Sequence, residues 1–276
     1  MAAESIIKAA KGVRAVSSDG GELARPRSEF VQSLEKGLAV IRCFDEAHPQ
    51  RTLSETAEAI GLSRAAARRF LLTLQELGYV ENSGRHFRLL PKALELGYAF
   101  LASQPWWRHA QQVVERVGAQ YKQACAVGVL DREAVAYVAY APAANLPSLV
   151  RTVGTRLPAH ATAIGRALLA GMPDTQLQKY LKQARLAPLT PFTCLDAAKL
   201  QQSILRARRD GYAVVNQELE IGLRSIGVPL LDRGGRVAAA MSFSVRDPYF
   251  TVDRLVKDLL APLREASAGI TESFPT

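Results

Sequence analysis

Apolar positions recur at helical spacing in several separate stretches of the chain. Phe30, Leu34, Leu38, Ile41 and the pair Cys43-Phe44 predict a helix over 30–47, closed by His48-Pro49. Two short helices follow, 53–60 and 64–77, then two short strands around Asn82-Ser83-Gly84. Pro91 opens a further striped helix over 91–103, since proline suits the first turn of a helix, and Gln104-Pro105 breaks it. Beyond it the period alternates. A helix at 105–123 leads to strands at 126–130 and 134–140, joined by Asp131-Arg132-Glu133 as a hairpin. A loop with Pro142 and Pro147 precedes a strand from Leu149 to Val153. Helices near 160–171, 174–184 and 196–209 precede strands at 212–216, 225–231 and 236–245, and a last helix covers 250–270. This mixed order with antiparallel hairpins predicts an α+β fold.

The pattern divides the chain into a tail at 1–27, a small helical unit at 28–90, a linker helix at 91–104 and a larger unit at 105–276. The tail, with Gly20-Gly21 and Pro26, reads as flexible. Its Lys8, Lys11 and Arg14 leave a transit peptide as the weaker alternative. No apolar run approaches the ~18 residues of a membrane span. Cys43, Cys125 and Cys194 lie far apart with no Cys/His cluster, which argues against a zinc site or disulfide framework. Reduced thiols in a cytoplasmic protein fit best. No cofactor motif is present.

The net charge of +9 suits a polyanionic partner or acidic ligands. It is not concentrated in the small unit: the first 93 residues hold 14 Lys and Arg against 11 Asp and Glu. Local pattern must therefore carry any nucleic-acid reading. Thr52 and Glu55 form a capping box, and Gly61 ends the short helix where a left-handed residue is needed. Ser63 caps the next helix. Ala57 is small enough for a close helix crossing. Thr56, Ile60, Leu62, Ala67, Phe70, Leu71 and Leu74 share one core. The outer face of the second helix offers Ser63, Arg64, Ala65, Arg68 and Arg69, with no acid before Glu76. A slim cationic helix of this kind fits a DNA major groove. The hairpin that follows is expected to be a wing from which Arg85, His86 and Arg88 reach phosphate or the minor groove.

The chain resembles the IclR family of bacterial regulators over about 28–272. The resemblance rests on Ser33 to Leu38, Leu62 to Arg64, Leu74 to Val80, Gly154 to Thr162 with Gly165-Arg166, Gly211-Tyr212, Gln217 to Ser225, and Pro229. The stretches from Gly154 and Gln217 look closest to the protocatechuate, 4-hydroxybenzoate and β-ketoadipate regulators. The resemblance implies a winged helix-turn-helix joined by a linker helix to a GAF-like effector domain, acting as a homodimer or tetramer on a double-stranded DNA operator. It also implies a pocket for a small organic acid between the helix starting near His160 and the neighbouring sheet, lined at the positions of Ala163, Ile164, Ser225, Ser242 and Ser244. Chemistry supports this placement. A helix start with small residues exposes amides that favour a carboxylate, and Arg151 and Arg156 lie just upstream as bidentate partners. Ser242 and Ser244 alternate with Phe243 and so share a face. Other roles stay open: His160 as a cap or packing residue, Arg166 as a structural hydrogen-bonder, Arg224 paired with Glu218 or Glu220, and Trp106-Trp107 as a contact to the linker or a dimer mate, or as core. The alternative function is a small-molecule-processing enzyme with an accessory winged helix, although no nucleophile motif is present.

Overall fold

The structure, a computed structural model, describes residues 29–143, 151–246 and 250–274. The tail at 1–27 and the expected start of a strand at Leu149 lie outside them. The described residues form two compact units that divide between Phe100 and Leu101.

The first unit holds α1 (Gln32–Arg42), β1 (Gln50–Thr52), α2 (Leu53–Ile60), α3 (Arg64–Glu76), β2 (Val80–Ser83) and β3 (His86–Leu89). The three strands form one antiparallel sheet in the order β1-β3-β2. Val40, Phe44, Leu71, Leu74, Val80 and Phe87 make its core. Helix α1 is shorter than its apolar spacing predicts. Asp45 accepts from the His48 amide at 2.9 Å and turns the chain, and Arg51 Nε donates to the Cys43 carbonyl at 2.8 Å. That carbonyl, left over by the helix end, is thus satisfied from outside the helix. The linker begins with a 3-10 turn over Pro91–Ala93 and continues as α4 (Leu94–Ala102). Lys92 Nζ donates to the Leu77 carbonyl at 3.1 Å and lies 5.3 Å from the centre of the Tyr79 ring.

The second unit holds α5 (Trp107–Tyr121), β4 (Ala124–Asp131), β5 (Ala134–Ala141), β6 (Arg156–Pro158), α6 (Ala163–Ala170), α7 (Asp174–Gln183), α8 (Ala197–Asp210), β7 (Ala213–Asn216), β8 (Arg224–Leu231), β9 (Val237–Val245) and α9 (Val252–Thr271). Its six strands pair antiparallel in the order β6-β5-β4-β9-β8-β7. Alternation along β9 sorts the two faces. Ala239, Met241, Phe243 and Val245 join the core under α5 and α9, whereas Ala240, Ser242 and Ser244 face α6. Trp106 is core: 3% exposed, its ring is 4.8 Å from that of Phe274. The edge strand beside β5 is β6. The expected strand ending at Val153 does not form over 151–153.

The start of α6 also departs from expectation. Pro158 ends β6, Ala159–Ala161 is a single 3-10 turn, and only then does Thr162 cap α6, accepting from the Gly165 amide at 3.0 Å. Gly227 on β8 makes this seat possible. A Cβ there would lie 2.8 Å from the Ala163 carbonyl carbon and 3.1 Å from the Ile164 nitrogen. The helix start therefore rests on bare sheet backbone. Gly227→Ala should push α6 off the sheet and cost about 1–3 kcal/mol, the usual penalty of overpacking. Urea unfolding checks this, and an unchanged midpoint would show that the contact is not tight.

Candidate nucleic-acid interface and ligand cavity

The helix-turn-helix is built from local chemistry. Thr52 accepts from the Glu55 amide, and the Glu55 carboxylate accepts from the Thr52 amide at 2.7 Å, so the expected capping box is closed. Gly61 takes φ 65° and the Leu62 amide donates back to the Ala57 carbonyl at 2.9 Å. The chain reverses within three residues, and Ser63 then caps α3 by accepting from the Ala66 amide at 3.2 Å. Ala67, Leu71 and Leu74 bury one face of α3. Arg64, Ala65, Arg68 and Arg69 lie on the exposed face, with the Ser63 hydroxyl at its leading end.

The wing differs in one respect. Arg85 is exposed beside Gly84 at the hairpin tip. Arg88, expected to reach phosphate, is ion-paired with Glu81, its directly opposed neighbour on β2. Its charge is compensated locally, because the register puts opposite charges face to face.

In the second unit a cavity lies between the start of α6 and the sheet. Six of the eight residues expected to bind an effector line it: Arg151, Ala163, Ile164, Ser225, Ser242 and Ser244. The other two do not. Arg156 is an exposed residue on β6, paired with Asp131. His160 is 2% exposed and turned to the Ala187 carbonyl at 3.3 Å, because the 3-10 turn rotates it away from the α6 start. Ala161 and Thr162, from the small-residue helix start, line it too, and sequence reasoning missed Tyr137, Val215, Leu219 and Leu223. Tyr137 is visible only as an alternating strand position. Leu219 and Leu223 lie four apart in the Gln217 to Ser225 run, and that run supplied no direction for them.

Polar groups of the cavity are specific. Ser225 and Ser244 are opposed across β8 and β9, and their hydroxyls share a 2.9 Å hydrogen bond. Thr162 caps α6, leaving the Ala163 and Ile164 amides at the helix start beside the cavity. Arg151 is 8% exposed and donates to Glu220. Its Nε is buried with no hydrogen-bond partner among the described residues. Burial pushes the Tyr137 phenol above its ordinary value, while the Arg151 charge pulls it back. The closed cavity leaves about 10 Å³, room for roughly one water.

Two buried carboxylates organise the surroundings. Glu218 accepts from Arg166 Nη2 at 2.5 Å and from the Cys194 amide at 2.9 Å. Arg166 Nε also donates to the His160 carbonyl at 2.9 Å. Glu220 accepts from Arg151 on one oxygen and from Arg246 on the other. Glu218 and Glu220 are thus held by Arg166, Arg151 and Arg246. Among the described residues no His, Cys, Asp or Glu cluster can hold a metal, the three cysteines are free thiols, and no helix is long and apolar enough to cross a membrane.

Together the two units define a winged helix-turn-helix protein with a cavity-bearing α+β unit. The chain matches the IclR helix-turn-helix domain over residues 33–84 and the C-terminal domain of bacterial IclR transcriptional regulators over 98–272. It belongs to the IclR family of transcriptional regulators. It is 39% identical over 271 residues to the Pca regulon regulatory protein of Pseudomonas putida, covering 98% of this chain and 90% of that one. A crystal structure of a putative transcriptional regulator from Rhodococcus sp. RHA1 is 42% identical, with a TM-score of 0.79 over 89% of this chain and 98% of that one. A double mutant of the inducer-binding domain of the PobR transcription factor from Acinetobacter, solved with 3-hydroxybenzoic acid, is 26% identical. It matches 59% of this chain and 96% of its own, at a TM-score of 0.55.

Burial holds His160 below the ordinary imidazole value, against the opposing pull of the Ala187 carbonyl. The folded chain therefore binds fewer protons at this site than the unfolded chain just below about pH 6.5. Unfolding free energy accordingly falls as pH drops through that range. His160→Gln should flatten the pH–stability curve between about pH 7 and pH 5. Urea titrations of both proteins check this, and curves that stay parallel would refute it.

Proposed function

We propose that this protein is a ligand-responsive, DNA-binding regulator of a catabolic operon, with an aromatic or related small organic acid as effector. The observation that carries the ligand half is Arg151: a buried guanidinium with an unpartnered Nε, at a cavity that also meets a helix start and serine hydroxyls. Such a constellation recognises a carboxylate through charge-assisted hydrogen bonds. Protocatechuate, 4-hydroxybenzoate and β-ketoadipate all carry this group. The Acinetobacter domain described above was solved with a hydroxybenzoic acid, which supports the same class here. The Pseudomonas and Rhodococcus relatives are named as regulators, which favours this reading over the enzyme alternative.

The DNA half rests on α3. Its exposed Arg64, Arg68 and Arg69 face outward without a neighbouring acid, so they enter a major groove, with Ser63 and Ala65 at the leading turn. Arg85 at the wing tip adds a phosphate contact. Arg88 stays with Glu81 and serves the wing itself. We assign a homodimer on a two-fold operator, since a single winged helix reads only a half-site. Exposed apolar residues of the first unit, Phe30, Leu34, Leu94 and Leu96, provide surface for such pairing.

Operator footprinting tests the DNA half. The protein should protect two symmetric half-sites. In Arg68→Ala/Arg69→Ala the slope of log K against log salt should become shallower by about 0.9 for each phosphate that an arginine no longer neutralises. A single protected half-site, or an unaltered slope, would overturn the assignment. Thermal unfolding with 4-hydroxybenzoate, protocatechuate and β-ketoadipate tests the ligand half. At saturation an effector raises the wild-type midpoint by about 2–4 °C for each kcal/mol of linkage stabilisation. Arg151→Gln should lose most of that rise. A variant that responds as strongly as the wild type would remove Arg151 from the site.

A further inference from the structure

The cavity, at about 10 Å³, has no room for an acid, yet its guanidinium already holds a carboxylate. That carboxylate is Glu220. Its side chain is 8% exposed and bridges two arginines, Arg151 at 6% and Arg246 at 31%. Two guanidinium groups therefore share one carboxylate, and each retains a buried Nε with no partner among the described residues. Among the described residues this cluster sets two guanidinium groups against one carboxylate.

Glu220 sits in a turn whose ends are pinned. Gln217 (φ 60°) and Gly222 (φ 82°) are both left-handed. The Gln217 amide donates to the Leu223 carbonyl at 2.7 Å, and the Gly222 amide donates to the Gln217 side-chain carbonyl at 2.9 Å. The same turn brings Leu219 and Leu223 to the cavity wall. Glu220 therefore sits between two residues of the cavity wall in one short turn.

We propose that Glu220 is an internal carboxylate competitor: it holds Arg151 until the effector's carboxylate takes Arg151 by exchange, and it thereby sets the affinity and charge selectivity of the site. The inference rests on the proposed assignment of Arg151 to an acid effector. Exchange is favoured because neither partner is stranded. The effector acid replaces Glu220 at Arg151, and Glu220 keeps Arg246, the more exposed of the two arginines. A buried guanidinium with no carboxylate at all is costly, which gives Glu220 its role before the effector binds. The observed affinity is then the intrinsic affinity reduced by the fraction of molecules in which Glu220 has released Arg151. A second negative charge on the ligand, if placed near Glu220, is repelled while that residue remains ionised.

Isothermal titration of the full-length chain decides this. Wild type and Glu220→Gln are titrated with 4-hydroxybenzoate, protocatechuate and β-ketoadipate, and with 4-hydroxybenzamide as the uncharged control. Glutamine keeps the shape and some hydrogen bonding but removes the competing charge. Acids should bind Glu220→Gln about tenfold or more tightly than wild type, while the amide is unchanged. Should that variant fail to fold, Glu220→Asp, whose shorter side chain holds Arg151 less well, should show the same gain at a smaller size. Equal or weaker acid binding by a folded variant would overturn the exchange while leaving Arg151 as an effector contact. An equal gain for acid and amide would also overturn it, because simple loosening of the wall would explain the gain. If no acid binds wild type or variant, the effector assignment fails and this inference fails with it.

Discussion

The cavity exists because the first turn of α6 rests directly on the backbone of β8. Gly165 lets the helix close on the preceding Ala159–Ala161 turn, where a Cβ would lie 2.1 Å from the Ala159 carbonyl oxygen, and Gly227 leaves no side chain between helix and strand, where a Cβ would lie 2.8 Å from the Ala163 carbonyl carbon. Two backbones at this distance fix the height of the helix above the sheet. Ala163 and Ile164 at the helix start therefore line the same cavity as Ser225, Ser242 and Ser244. With the helix seated this way, its dipole adds positive potential where Arg151 already supplies charge. Burial of α6, all of whose residues are buried, keeps the arrangement from relaxing toward solvent.

Around this seat the unit uses buried ion pairs, whose worth lies in placement more than in net stability. Taking a guanidinium and a carboxylate out of water costs several kcal/mol for each ion, and good geometry does little more than offset it. Arg166 and Glu218 achieve that geometry by adding partners. The guanidinium also donates to the His160 carbonyl and to Ser203, and the carboxylate accepts from the Cys194 amide. The pair thereby ties the Ala159–Ala161 turn, α8 and the segment before it to one point. Glu220, two residues on, is held differently: it accepts from two guanidinium groups, one on each oxygen, whereas Glu218 takes one guanidinium and one backbone amide.

Much of this was legible in the sequence wherever the deciding contacts are local. Thr52 with Glu55, Gly61 and Ser63 act within three or four residues of themselves, so the helix-turn-helix can be read from spacing alone. Where the decision is made by a distant residue, spacing misleads. The apolar pattern of α1 runs on through Phe44, but the chain turns at Asp45 and Arg51 satisfies the Cys43 carbonyl. Strand β1 is three residues long and exists through its pairing with β3. Arg88 looks like a free cation until register sets it opposite Glu81. In the cavity, serines on a shared strand face could be placed by alternation, and the small residues of α6 through the family pattern. Arg156 and His160 lay close in sequence to the site, yet β6 and the 3-10 turn direct them elsewhere. Leu219, Leu223 and the role of Glu220 depend on a tight turn with two left-handed residues, one of which, Gln217, is not a glycine.

The stack of Trp106 on Phe274 joins the first residues of the second unit to its last described ones. Both rings are nearly inaccessible, at 3% and 4% exposure, in a core shared with α5 and α9. The first and last described residues of the unit are thus packed together in one core, on the face of the sheet that α5 and α9 cover. A unit whose ends meet in this way tolerates a rearranged chain order, with old ends joined and new ends opened in an exposed loop, far better than the loss of a few residues from its C-terminus.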